Sequence, residues 1–129
     1  ENIETFLSSH QMGITQLAIE YCNALVEDPG KRAGYFPGFA FGGSNFDTAA
    51  RNQLINPLLT RVMATGLDTQ TVPPTNPAPA PLFDEVSAEL NRLIDGMASC
   101  GGTCSRARTQ TTVKAVCAAA LGSAAMLIQ

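Results

Sequence analysis

Four cysteines constrain this chain more than any other residue type: Cys22, Cys100, Cys104 and Cys117, three of them within the last 30 residues and none with a histidine close by. An even cysteine count in a short chain is read as a disulfide framework or as a metal or redox site, depending on spacing. Cys100-Gly-Gly-Thr-Cys104 has three intervening residues, so it is neither a C-x-x-C redox pair nor a haem-attachment site, and Ser105 stands where a haem-ligating histidine would follow. A zinc site of four cysteines draws its ligands in two close pairs, a pattern that the distant Cys22 does not complete. The disulfide reading therefore leads. Gly101 and Gly102 relax the backbone enough to bring Cys100 and Cys104 to the roughly 5.5 Å between Cα atoms that a bridge needs, which leaves Cys22 for Cys117. Such bonds persist in secreted or periplasmic proteins and not in a reducing cytosol. The expected setting is secreted, extracellular or cell envelope; four buried free thiols in a cytosolic protein are the bland alternative.

The apolar pattern predicts an all-α fold. Ile3, Leu7, His10, Ile14, Leu17, Tyr21 and Ala24 alternate four and three residues apart, with Ala18, Cys22 and Leu25 widening the stripe. This is a long amphipathic helix over about 2–27 with its stripe toward the core, capped by Asn2 and ended by Asp28-Pro29-Gly30. Gly13 is read as a point where another helix approaches closely. A second helix is expected over about 47–65, with Leu54, Ile55, Leu58, Leu59, Val62 and Met63 on one face and Gly66 as its C-cap. Pro57 interrupts it and predicts either a kink or two short helices. Pro81 opens a third helix, 81–99, in which Leu82, Val86, Leu90, Leu93 and Met97 form the apolar face. Ser105 or Thr103 caps the last, 105–128, whose Ala118-Ala119-Ala120, Gly122-Ser123 and Ala124-Ala125 predict the central, most buried helix, since small residues allow close packing. Set antiparallel to the first helix, it can bring Cys117 to Cys22 only with some relative shift along their axes.

Two segments between the helices stand out. Residues 28–46 form a glycine- and proline-rich loop that holds Tyr35, Phe36, Phe39, Phe41 and Phe46, five of the eight aromatics. They either pack on one another over the end of a bundle or form a contact surface for a partner or an apolar ligand. Residues 67–80 carry Pro73, Pro74, Pro77 and Pro79 and read as a stiff, polyproline-like crossover, which also offers a surface to a neighbouring subunit. These aromatics and prolines are the candidate interaction surface.

The search for chemistry finds none. No nucleophile elbow, zincin motif, Walker loop or dinucleotide fingerprint occurs. His10, the single histidine, lies on the helix stripe, where a hydrogen-bonded core histidine is the commoner occupant, because catalysis needs a second group within reach. A non-covalent haem held by His10 with a methionine is the alternative; methionine as gap filler is far commoner. Arg106 and Arg108 sit near a helix N-terminus, where cations are mildly unfavourable, so they are expected to face an acidic residue or an external anion. No catalytic, cofactor or metal residue is assigned, and the chain is read as not an enzyme.

At 129 residues this is the length of one domain. Charged residues make up 15% with a net charge of −3, which gives no electrostatic footprint for nucleic acid or an anionic membrane. The longest apolar run, 115–128, is shorter than the roughly 20 residues that span a bilayer. The chain starts at Glu1 without a leader pattern, which reads as processed, or as cut from something larger.

Three stretches, His10-Gln-Met-Gly-Ile-Thr-Gln-Leu-Ala-Ile-Glu-Tyr-Cys22, Ile55-Asn-Pro-Leu-Leu59 and Thr109 to Gln129, resemble the C-terminal helical region of large secreted bacterial proteins that also carry a laminin-G-like (concanavalin-type) jelly roll. The resemblance covers about two-thirds of the chain. It implies an exported, bacterial setting and transfers no activity to any residue. The expectation is one helical domain: a disulfide-linked bundle of four or five helices with a long aromatic, Gly-rich loop and a Pro-rich extended crossover. Its expected role is a non-enzymatic extracellular structural or interaction module, a self-assembling subunit of an assembly or filament whose partners are itself or other extracellular subunits. The alternative is a carrier of an apolar small molecule within the bundle.

Overall fold

Five helices, and no strand among the described residues, make up the chain: α1 (Asn2–Glu27), α2 (Pro29–Tyr35), α3 (Thr48–Asp68), α4 (Pro79–Met97) and α5 (Arg106–Ile128). The computed structural model describes the backbone of residues 2–68 and 79–128, and the side chains of residues 13, 16–61 and 84–123. The fold is an all-α, disulfide-linked bundle. α5 packs against α1, α3 and α4, α3 also packs on α4, and α2 rests on α1.

Cys22 and Cys117 are bridged, with Cα atoms 5.8 Å apart, and Cys100 and Cys104 are bridged at 5.3 Å. Both pairings follow the sequence expectation. The first closes 95 residues of sequence, which on the chain-entropy model restricts the unfolded chain by about 4 to 5 kcal/mol. Glu27, at the end of α1, pairs with Lys114 of α5, so the two helices run antiparallel. α5 starts about two turns before Lys114, which is the axial shift the bridge requires.

The junction after α1 differs from the expected loop. Asp28-Pro29 ends α1 and at once starts α2: the Asp28 carboxylate accepts from the backbone N–H groups of Gly30 (2.9 Å) and Lys31 (3.1 Å), with Pro29 in the first turn. The residues that stop one helix are those that begin another, because an N-cap carboxylate satisfies orphan donors and proline's fixed φ suits the first helical position. Arg32 then donates to the Val26 carbonyl at 3.0 Å, covering the exposed end of α1.

Asp47 caps α3 through its carboxylate, which accepts from Ala50 N–H at 2.8 Å. The helix runs unbroken through Pro57. Proline removes one ladder bond and crowds the preceding turn, but Leu54, Ile55, Leu58 and Leu59, two on each side of it, are all buried, and their packing keeps the helix continuous. α3 ends at Asp68, past the expected Gly66 stop, and α4 begins at Pro79, two residues before Pro81, and ends two before Ser99. Among the described residues of α4, Leu90 and Ile94 are buried, while Val86 and Leu93 are half-buried. Ser105 caps α5 by accepting from Arg108 N–H at 3.2 Å.

A polar junction fixes residues 36–47 to the start of α5. Ser44 N–H donates to Thr109 Oγ1 (3.1 Å), Cys104 N–H donates to Ser44 O (2.8 Å), and Phe46 N–H donates to Ser44 Oγ (3.0 Å). Ser44, Thr109 and Thr112 are buried, and among the described residues no buried side-chain nitrogen or oxygen lacks a partner. Arg51 closes the other side, donating to Phe46 O (2.8 Å), Asn91 Oδ1 (3.1 Å) and Asp95 Oδ1 (2.7 Å) and so tying α3 to α4.

Gly43 has φ +157, and a Cβ placed there would lie 2.9 Å from the Cys104 carbonyl oxygen. Gly43→Ala should therefore cost about 1–3 kcal/mol, read as a lower urea midpoint at unchanged m-value. The Glu27 carboxyl is held below its ordinary value of 4.5 by the Lys114 hydrogen bond and charge, with a smaller contribution from Arg32. A lowered folded-state pKa gives stability that is present above the unfolded value and lost as pH falls through the folded one. Glu27→Gln should thus lower the denaturation midpoint slightly at neutral pH, and the difference should vanish at about pH 2.

Candidate interaction surface

The aromatic segment faces inward. Phe36, Phe39, Phe41 and Phe46 are all buried, with ring centroids 4.9 Å (Phe39–Phe41), 5.8 Å (Phe39–Phe46) and 6.0 Å (Phe36–Phe41) apart. These rings are core, and as a contact surface they are withdrawn; burying four phenylalanines outweighs any use of them in solvent. Phe46 takes φ +51, a conformation that costs a non-glycine residue on the order of 1–3 kcal/mol and is held here by its buried ring and by its bonds to Ser44 and Arg51.

Of the aromatic candidates only Tyr35 keeps a surface. It is half-buried, lies 4.8 Å from Phe36, and carries the Arg61 guanidinium 4.3 Å above its ring. Burial pushes its phenol above the ordinary 10.0; Tyr21 adds to this and Arg61 opposes it. Pro73, Pro74 and Pro77 lie outside the described residues, and Pro79 falls within the first turn of α4. The His10 side chain also lies outside them.

The largest correction concerns α1. Leu17 and Tyr21, expected on the core stripe, are 68% and 53% exposed, and Ala24 is exposed with them. Among the described residues of α1 the buried ones are Ala18, Cys22, Leu25 and Val26. The core face is thus the flank of the expected stripe marked by Ala18, Cys22 and Leu25, and Leu17, Tyr21 and Ala24 lie on its solvent side. Cys22 held the signal: its bridge to Cys117 points its side chain at α5, and Ala18, Leu25 and Val26, three or four residues away, are buried with it, while Ile19 on the edge of that face is 53% exposed. Among the described residues nothing lies within 4 Å of a Cβ placed at Gly13, so none of them makes the close approach expected there.

Arg108 donates to the Met97 carbonyl at 3.0 Å, so the end of α4 receives it. Arg106 is exposed at the start of α5, and no carboxylate among the described residues is within ion-pair distance of it. Among the described residues no group of three His, Cys, Asp or Glu is placed to hold a metal ion, no cysteine is free, and no helix is long and apolar enough to cross a membrane. No family model, curated protein or solved structure matches this chain.

The surface and core assignments separate by mutation. Leu17→Ser combined with Tyr21→Ser should change stability by less than about 0.5 kcal/mol per site, whereas Phe36→Ala should cost about 3–5 kcal/mol; parallel chemical denaturation distinguishes the two.

Proposed function

We propose that this chain is a non-enzymatic structural or interaction module of an extracellular assembly, holding a neighbouring protein subunit against the outer face of α1. One observation carries the reading: Leu17 and Tyr21 stand in solvent on a helix whose other face is already committed to α5. A large exposed leucine and tyrosine one turn apart form the kind of patch that marks contact sites, and tyrosine is enriched at interfaces. Tyr35 and Arg61 extend the patch with two more residue types common at binding hot spots. Two disulfides with no free cysteine among the described residues support the extracellular setting, as does the resemblance to exported bacterial proteins. The carrier reading draws no support from the bundle, where the phenylalanine rings pack on one another.

Isolated without reductant from the surface or medium of cells that make it, the native chain should migrate by light scattering above the mass of a single chain. Leu17→Ser/Tyr21→Ser should return it to that mass with both disulfides intact. A native chain found only as a free single subunit, or found in the cytosol with reduced thiols, contradicts the proposal.

A further inference from the structure

The two disulfides differ in the access they give to a thiol. Cys22 and Cys117 are 0% and 1% exposed, within the core, whereas Cys100 is exposed and only its partner Cys104 is buried. Gly101 and Gly102, between them, leave the approach clear: among the described residues nothing lies within 4 Å of a Cβ placed at either. Exchange requires a thiolate to reach one sulfur of the bond. In the folded chain it can do so at Cys100 and not at the core bridge.

The bridges also differ in what their loss does to the fold. They span sequence separations of 4 and 95 residues, so on the chain-entropy model the shorter one shifts the folded-to-unfolded ratio about a hundredfold less. The chain can open it and stay folded. The local consequence is at the anchor of residues 36–47: Cys104 N–H donates to Ser44 O at 2.8 Å, and the Cys104 carbonyl lies against Gly43. Ser44 Oγ in turn accepts from Phe46 N–H, where φ is +51.

We infer that Cys100–Cys104 is an exchange site for a low-molecular-weight thiol, opened while Cys22–Cys117 stays closed, and that its opening loosens the anchor of residues 36–47. The incoming thiolate bonds to Cys100 Sγ as the S–S bond breaks, and Cys104 leaves with the electron pair as a thiolate. Its place just before the Ser105 cap of α5 favours that charge. A second thiolate then attacks the outer sulfur of the mixed disulfide and releases Cys100. In sum, two small thiols are oxidised to one disulfide, and the protein bridge is reduced to two thiols that take up the two protons. Where no second thiol arrives, the Cys104 thiolate attacks Cys100 Sγ, expels the first and closes the bridge again. This chemistry does not depend on the interaction role proposed for α1.

The test exposes the intact, oxidised chain to reduced glutathione under native conditions, quenches with iodoacetamide and follows the cysteine peptides by mass spectrometry. Cys100 and Cys104 should become alkylated at least about tenfold faster than Cys22 and Cys117. Oxidised glutathione should likewise modify Cys100 in Cys104→Ser severalfold faster than Cys104 in Cys100→Ser. Hydrogen exchange on the selectively reduced chain should quicken severalfold at the Cys104 and Phe46 amides, while amides of α1 and α5 beside Cys22 and Cys117 keep their protection. Equal rates at the two bridges, or no alkylation before the chain unfolds, overturns the exchange site. Faster modification of Cys104 than of Cys100 overturns the choice of attacked sulfur, and unchanged exchange at Cys104 and Phe46 overturns the link to residues 36–47. If either single variant fails to fold, the rates at the two bridges of the unmutated chain still decide.

Discussion

The bond between Cys22 and Cys117 sets the arrangement of the bundle. It joins the first and last helices at a Cα separation of 5.8 Å, and in doing so fixes both which face of α1 is inside and how far α5 is displaced along it. Once Cys22 points at α5, Ala18, Leu25 and Val26 follow it inward by helical spacing, and Leu17 and Tyr21 are left in water. Lys114 reaching Glu27 is a second consequence of the same register. α5 can then serve as the shared partner of α1, α3 and α4, a role that suits a helix whose side chains at 118–120 are all alanine.

A second constraint acts at the end of the bundle where the chain has least regular structure. Residues 36–47 contribute four phenylalanine rings to the core, and their backbone must still satisfy its polar groups where water is excluded. Ser44, Thr109 and the Cys104 N–H meet that need. The Cys100–Cys104 bridge and the absence of a side chain at Gly43 keep the Cys104 carbonyl close against the loop. Covalent clip, polar junction and aromatic cluster are therefore one structural unit.

Much of the fold was legible in the residues. Both disulfides could be read from spacing, since only Cys100 and Cys104 lie close in sequence, and Ser105 caps α5 as its chemistry predicts. α2 was harder to see because seven residues, two of them glycine, carry too weak a local signal; its cap, Asp28-Pro29, reads equally well as a stop. At Pro57, where a kink or two short helices were expected, the helix is not divided: local propensity opposes continuity there, and burial of the four apolar residues around it prevails. The aromatic loop could be core or surface on sequence grounds, because composition gives the apolar content of a segment without its direction.

By itself, the sequence determined that the protein is helical, cross-linked twice, free of any recognised catalytic motif, and equipped with a first helix of four-three periodicity. Those properties are local: they depend on spacing along one chain segment or on the chemistry of single residues. Only the tertiary structure decided that Leu17, Tyr21 and Ala24 of that stripe face solvent and that the phenylalanines face the core. Periodicity defines a stripe without saying what lies opposite it, and on α1 that choice was made by the long-range tie of Cys22 to Cys117. The candidate contact surface thus arises from a side of the helix that the chain's own core leaves uncovered.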